Sequence, residues 1–184
     1  FLFFVAIEHL GKTELAIYNI TRSVSAIFFV IANSFAVTTG SLVSNAIGAR
    51  ARNELFPICH KVLKLGYAVG IPFVVVALLC NRWIVSFYTD NELLIELAFA
   101  PFVVMLLNYT FALPGYVYLN AVGGTGKTKI TFLFQVTTTC VYLVYLYWLS
   151  FCIKASLSLY LTAEYLFVIL LALQSIIHLK SKHY

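Results

Sequence analysis

Apolar residues run along this chain in long blocks, and polar residues are confined to short gaps between them. Residues 23–49 carry no charge, a run longer than the ~20 apolar residues that cross a bilayer. Such length predicts a helix that tilts, kinks or protrudes, with Thr38-Thr39-Gly40-Ser41 as its soft spot. Residues 53–64 read as an amphipathic lead-in to an apolar stretch at 65–80, where Pro72 predicts a kink. Residues 87–92 are a polar connection, with Thr89 or Asp90 as the expected cap of the next helix. Two uncharged runs follow, 99–122, broken by Pro114-Gly115, and 130–152. A last run, 157–179, holds a single acid, Glu164. At the start, residues 1–10 read as the exit half of a helix closed by a turn at Gly11-Lys12-Thr13. The pattern predicts an all-α membrane protein with helices at about 1–10, 14–49, 54–80, 91–122, 129–152 and 156–179.

Composition sharpens this. Charged residues make up 10% of the chain, against about 25% in soluble domains, so there is too little charge to cover a water-facing surface. Mean hydropathy is +0.95. The net charge of +5 then concerns membrane topology, and nucleic acid is not an expected partner. Cys59, Cys80, Cys140 and Cys152 are scattered, and His9, His60, His178 and His183 form no ligand spacing with them. No metal, no cofactor and no enzymatic chemistry are expected. Residues 1–7 are too short to span a bilayer and lack the basic region of a signal peptide. The expectation is a chain cut within its first transmembrane helix.

The basic residues sort by side. Alternate connections hold Arg50, Arg52, Lys61, Lys64, Lys127, Lys129, Lys180 and Lys182. The opposite connections hold Lys12, Arg82 and Lys154 with the acids Asp90, Glu92 and Glu96. The positive-inside rule puts the first set, and both chain ends, in the cytoplasm.

One motif suggests different chemistry. Residues 121–128, Ala-Val-Gly-Gly-Thr-Gly-Lys-Thr, come close to a Walker A loop, with Ala121 where a Gly usually stands. A phosphate-binding loop needs a strand before it and a water-facing helix N-terminus behind it. Here the preceding apolar run is far too long for a strand, and the following helix is uncharged for a full span. The only later acid is Glu164, within an apolar run. The expected structure is a cytoplasmic turn between membrane helices, with no nucleotide.

Four stretches, in this order, carry a resemblance. They are Ile7-Glu8-His9-Leu10-Gly11 followed by Leu15-Ala16; Val43-Ser44-Asn45-Ala46-Ile47-Gly48-Ala49-Arg50; Phe87-Tyr88-Thr89-Asp90-Asn91-Glu92; and Asn120-Ala121-Val122-Gly123-Gly124-Thr125-Gly126-Lys127-Thr128. Together they resemble the C-terminal lobe of a multidrug and toxic compound extrusion (MATE) transporter. The resemblance implies that residues 1–184 are a single lobe, helices seven to twelve of twelve, with the N-terminal lobe missing from this chain. It implies a cell-membrane, multi-pass antiporter that uses a Na⁺ or H⁺ gradient to export organic, often cationic drugs.

Glu8 and Glu164 are the candidate ion-coupling residues. A carboxylate near the membrane centre costs about 3 kcal/mol and tends to face a cavity. From residues alone Glu8 is either such a group or a hydrated interfacial acid beside Lys12. The resemblance places it at the family's essential helix-seven acid. Aligned on the Gly126 turn, the family's second acid, in helix ten, falls at Ala112, which departs from a two-carboxylate site. Glu164 either substitutes for that acid or is a structural acid bonded across helices. Asn33, Asn108, Tyr116 and Asn120 either line the substrate cavity, Tyr116 adding cation–π attraction, or make interhelical hydrogen bonds worth about 0.6 kcal/mol each. Arg22 is expected to snorkel to the interface.

Three other functions were open to such a chain. A lipid-linked saccharide flippase of the same superfamily would show a more cationic mid-membrane cavity. A membrane-embedded ATPase would bind nucleotide. A non-transporting membrane fragment would show no efflux when expressed alone.

Overall fold

The computed structural model describes residues 7, 11–151 and 156–181. Among them the chain is helical: α1 (Lys12–Gly48), a 3-10 turn (Arg52–Glu54), α2 (Leu55–Leu79), α3 (Asn81–Ser86), α4 (Glu92–Leu97), α5 (Phe99–Leu107), α6 (Tyr109–Gly124), α7 (Thr128–Phe151) and α8 (Leu157–Ser181). Among the described residues, five stretches are long and apolar enough to cross a membrane: Lys12–Gly48, Arg52–Leu79, Glu92–Gly124, Thr128–Phe151 and Leu157–Ser181. The helix expected at 1–10 lies outside the described residues, apart from the buried Ile7.

The helix expected at 91–122 is three segments, with breaks at Ala98 and Asn108. Two prolines account for them, since each removes a donor and crowds the carbonyl four residues back. Pro101 deprives Leu97, just before the first break, and Pro114 deprives Thr110, just after the second. The Thr110 carbonyl is not left bare. Tyr67 of α2 donates to it at 2.7 Å, and Tyr109 returns a bond to the Gly66 carbonyl at 2.8 Å. Gly70 makes room for this exchange, because a Cβ there would fall 2.1 Å from the Tyr109 hydroxyl. In lipid no water replaces a lost donor. Tyr67→Phe is therefore expected to destabilise the fold by about 1 kcal/mol, read as a lower midpoint of thermal unfolding in detergent; an unchanged midpoint would mean that the carbonyl is satisfied in another way.

Pro72, by contrast, sits within a continuous α2. Two further expectations change at the α2–α4 connection. Its first part is the short helix α3. The cap of α4 is Asn91, not Thr89 or Asp90: its Oδ1 accepts from Leu93 N at 3.0 Å, while Thr89 Oγ1 accepts from Asn91 N. A side chain must sit one position before the helix to reach its orphan donors, and Asn91 holds that place.

α6 is the central helix, packed against α1, α8 and α2. Ala32, Ala36 and Val43 of α1 and Leu113, Val117, Ala121 and Val122 of α6 belong to the buried core. Outward-facing Ile27, Val30, Val37, Leu65, Phe73 and Val76 stay exposed, as befits surfaces solvated by lipid.

Candidate cation-binding cavity

A cavity of about 60 Å³ opens where α1, α5, α6 and α8 meet. The second break of the segmented helix places Asn108 in its wall. One turn further along α6 comes Ala112, and a turn beyond that Tyr116, both also lining it. Four-residue spacing stacks these side chains on one helix face. From α1 come Ser25, Phe28, Phe29 and Ala32, again at helical spacing. From α8 comes Glu164, the only acid among the described residues of that wall.

The polar atoms are arranged as follows. Asn108 Oδ1 is buried with no hydrogen-bond partner among the described residues. Ser25 donates to the Arg22 carbonyl at 2.9 Å, which leaves its lone pairs available. The Tyr116 ring is held edge-on by Phe29, with centroids 5.5 Å apart. Glu164 lies eight residues into α8, or about 10 Å along the axis at 1.5 Å per residue. Its neighbour Tyr165 donates to the Val104 carbonyl and pins this part of α8 to α5. Tyr18, Tyr116, Tyr142 and Arg22 are all within electrostatic reach of Glu164, and Arg22 hydrogen-bonds Tyr18.

Of the residues singled out from sequence, the structure brings together Glu164, Asn108 and Tyr116, with Ala112 between them. Asn33 is exposed and does not line this cavity. Asn120 is half-buried further along α6, where its amide donates to the Tyr116 carbonyl at 2.9 Å. Glu8 lies outside the described residues. Sequence reading missed Ser25 and the Tyr18–Arg22 pair. The 25-28-32 spacing, which repeats every helical turn, is the signal that could have found Ser25. Arg22 is exposed, as an interfacial residue would be, yet it engages Tyr18. Among the described residues no group of three or more His, Cys, Asp or Glu is placed to hold a metal ion.

The Walker-like stretch is a helix–turn–helix. α6 ends at Gly124 and α7 begins at Thr128. Gly126 reverses the chain with φ of 84°, a conformation that glycine adopts without strain. Gly124 serves packing instead: a Cβ there would lie 2.4 Å from the Gly40 carbonyl oxygen and 3.1 Å from Val43 Cβ. Helix rather than strand precedes the turn, and one of its glycines faces another helix, so the geometry is not a phosphate cradle.

Comparison with known proteins agrees with this architecture. The family model for MatE matches residues 1–149. A solved structure described as MATE in the bent conformation superposes with a TM-score of 0.83 at 18% identity. The match covers 95% of this chain and 39% of that one, so this chain spans well under half of its structural relative. At that identity the likeness carries the fold. No curated protein matches the chain. With the family pattern extending over most of its length and the membrane-spanning helices in place, the chain belongs to the MatE family.

Proposed function

We propose that the chain forms one lobe of a secondary active transporter that exchanges H⁺ or Na⁺ for organic, often cationic compounds. The observation that carries this is Glu164, a carboxylate set among membrane helices in the wall of a cavity with Asn108 and Tyr116. Acids at such depth mark ion or substrate pathways in membrane proteins. Glu8 is the second coupling acid in this reading, and Asn33 and Asn120 belong to the wider substrate path. The second lobe is supplied by sequence outside this chain, and the two lobes rock to open the path to each side in turn.

The protein resides in the cell membrane with both ends of this chain cytoplasmic. The packing of Gly124 on Gly40 and Val43 supports this, since it draws the Arg50 loop and the Lys127 turn to one end of the lobe. A cysteine placed at Thr125 should react with an impermeant thiol reagent only from the cytoplasmic side; labelling from outside would invert the topology.

The transport reading is tested in liposomes that hold the complete protein. A fluorescent organic cation should move only while a Na⁺ or H⁺ gradient is imposed, and should stop when an ionophore collapses it. Movement that persists without any gradient would overturn the reading.

A further inference from the structure

A second cavity, of about 580 Å³, lies at the end of the lobe away from the Arg50 loop and the Lys127 turn, where α3, α4 and the start of α5 meet. Its volume falls within the range of about 300–1,000 Å³ typical of small-ligand sites. The lining is amphipathic. Asn81, Arg82, Glu92 and Glu96 supply the polar part, and Leu93 and Phe99 the apolar part. Arg82 Nη2 meets Glu92 Oε2 at 2.8 Å, but both side chains are 77% exposed. Such a pair is worth little and opens readily to another partner. Glu92 and Glu96 stand one turn apart on α4, where like charges repel. One arginine therefore faces two carboxylates, a formal excess of one negative charge. Asn81 donates its amide to the Leu78 carbonyl at 2.7 Å, which leaves its oxygen as an acceptor. These acceptors suit an ammonium with several N–H donors, and the Arg82 fork suits a phosphate beside it.

We infer that this cavity holds the headgroup of an aminophospholipid, with its primary ammonium between Glu92 and Glu96 and its phosphate on Arg82. Depth selects a lipid over a soluble compound. Trp83, Phe87 and Tyr88, on and just after α3, are exposed, and Trp83 meets Phe87 edge-on with ring centroids 4.6 Å apart. Aromatic side chains of this kind settle at the level of lipid headgroups. Leu93 and Phe99 are exposed as well as lining the cavity, so they offer an apolar wall to the glycerol and the first acyl carbons. The charge balance then chooses among lipids. An anionic headgroup would meet the excess carboxylate, and a choline headgroup has no N–H to donate. In the proposed topology this is the outer leaflet. The inference goes beyond the transport reading and needs only a lobe seated in a bilayer.

The test is native mass spectrometry of the purified complete protein, titrated in detergent with phosphatidylethanolamine, phosphatidylcholine or phosphatidylglycerol of matched acyl chains. Wild type should bind the ethanolamine lipid about fivefold more tightly than either of the others. Glu96→Gln should remove that preference by taking away the excess charge. Arg82→Gln should weaken the ethanolamine lipid about fivefold through its phosphate. Asp90→Asn removes a nearby acid that does not line the cavity and should leave the preference intact. All three positions are exposed, so the variants should fold, which unchanged unfolding midpoints would verify. Equal affinity of wild type for the three lipids would overturn the proposal. So would a preference that persists in Glu96→Gln, or one lost as fully in Asp90→Asn. Phosphoethanolamine without acyl chains should not displace the lipid at equal concentration; displacement would assign the cavity to a soluble compound and overturn the lipid.

Discussion

Gly124→Ala is expected to destabilise the lobe by about 3 kcal/mol, the upper part of the usual range for overpacking. The new methyl would meet the Gly40 carbonyl oxygen at 2.4 Å. The obstruction is backbone on the facing helix, not a side chain that can swing aside. Relief requires α1 and α6 to separate, and these two helices share much of the core. A lowered unfolding midpoint in detergent reads the effect. Gly48→Ala supplies the comparison, because nothing lies within 4 Å of a Cβ there; it should shift stability by no more than about 0.5 kcal/mol. If both variants melted like the parent, the close approach of α1 and α6 would be wrong. A phosphate cradle would instead give a parent stabilised by nucleotide, and the packing of Gly124 argues against that.

Much of this was legible in the chain. The uncharged runs placed the spans because the bilayer sets helix length. Glu164 stood out as the one acid in an apolar run, and Asn108, Ala112, Tyr116 and Asn120 fell at four-residue spacing. What the spacing could not show was which neighbour each stripe meets. A helix that is apolar all round gives little sign of its inward face, so nothing marked Asn33 as exposed while Asn108, on another helix, lines the cavity. That Glu164 of α8 stands across from Asn108 depends on the order in which helices pack around α6. The Tyr67 bond to Thr110 was hidden for the same reason, as it joins residues 43 positions apart. The helix Asn81–Ser86 has too few residues for periodicity to reveal it.

The other large effect concerns the acids. In the complete protein, Glu8→Gln is expected to abolish gradient-driven export, and Glu164→Gln to slow it about tenfold or more, equivalent to roughly 1.4 kcal/mol or more of lost coupling. Glutamine keeps the size and hydrogen bonding of glutamate but cannot carry its charge. In Glu164→Gln it also removes an ionisable group from an apolar helix, so insertion and folding should be retained. Under the proposed function, facilitated movement of the organic cation down its own gradient should survive in both variants. Loss of that movement too would point to damage in folding and not in coupling.

The central claim is an obligatory exchange in which an ion held at these carboxylates moves one way while an organic cation moves the other. The direct measurement follows both fluxes in the same liposomes, for wild type and for Glu164→Gln. The account predicts that wild-type ion uptake begins only when the organic cation is present on the other side, in fixed proportion to its export, and that this linked flux falls about tenfold or more in Glu164→Gln. Ion and substrate fluxes that run independently in wild type, or a linked flux unchanged in Glu164→Gln, would contradict it.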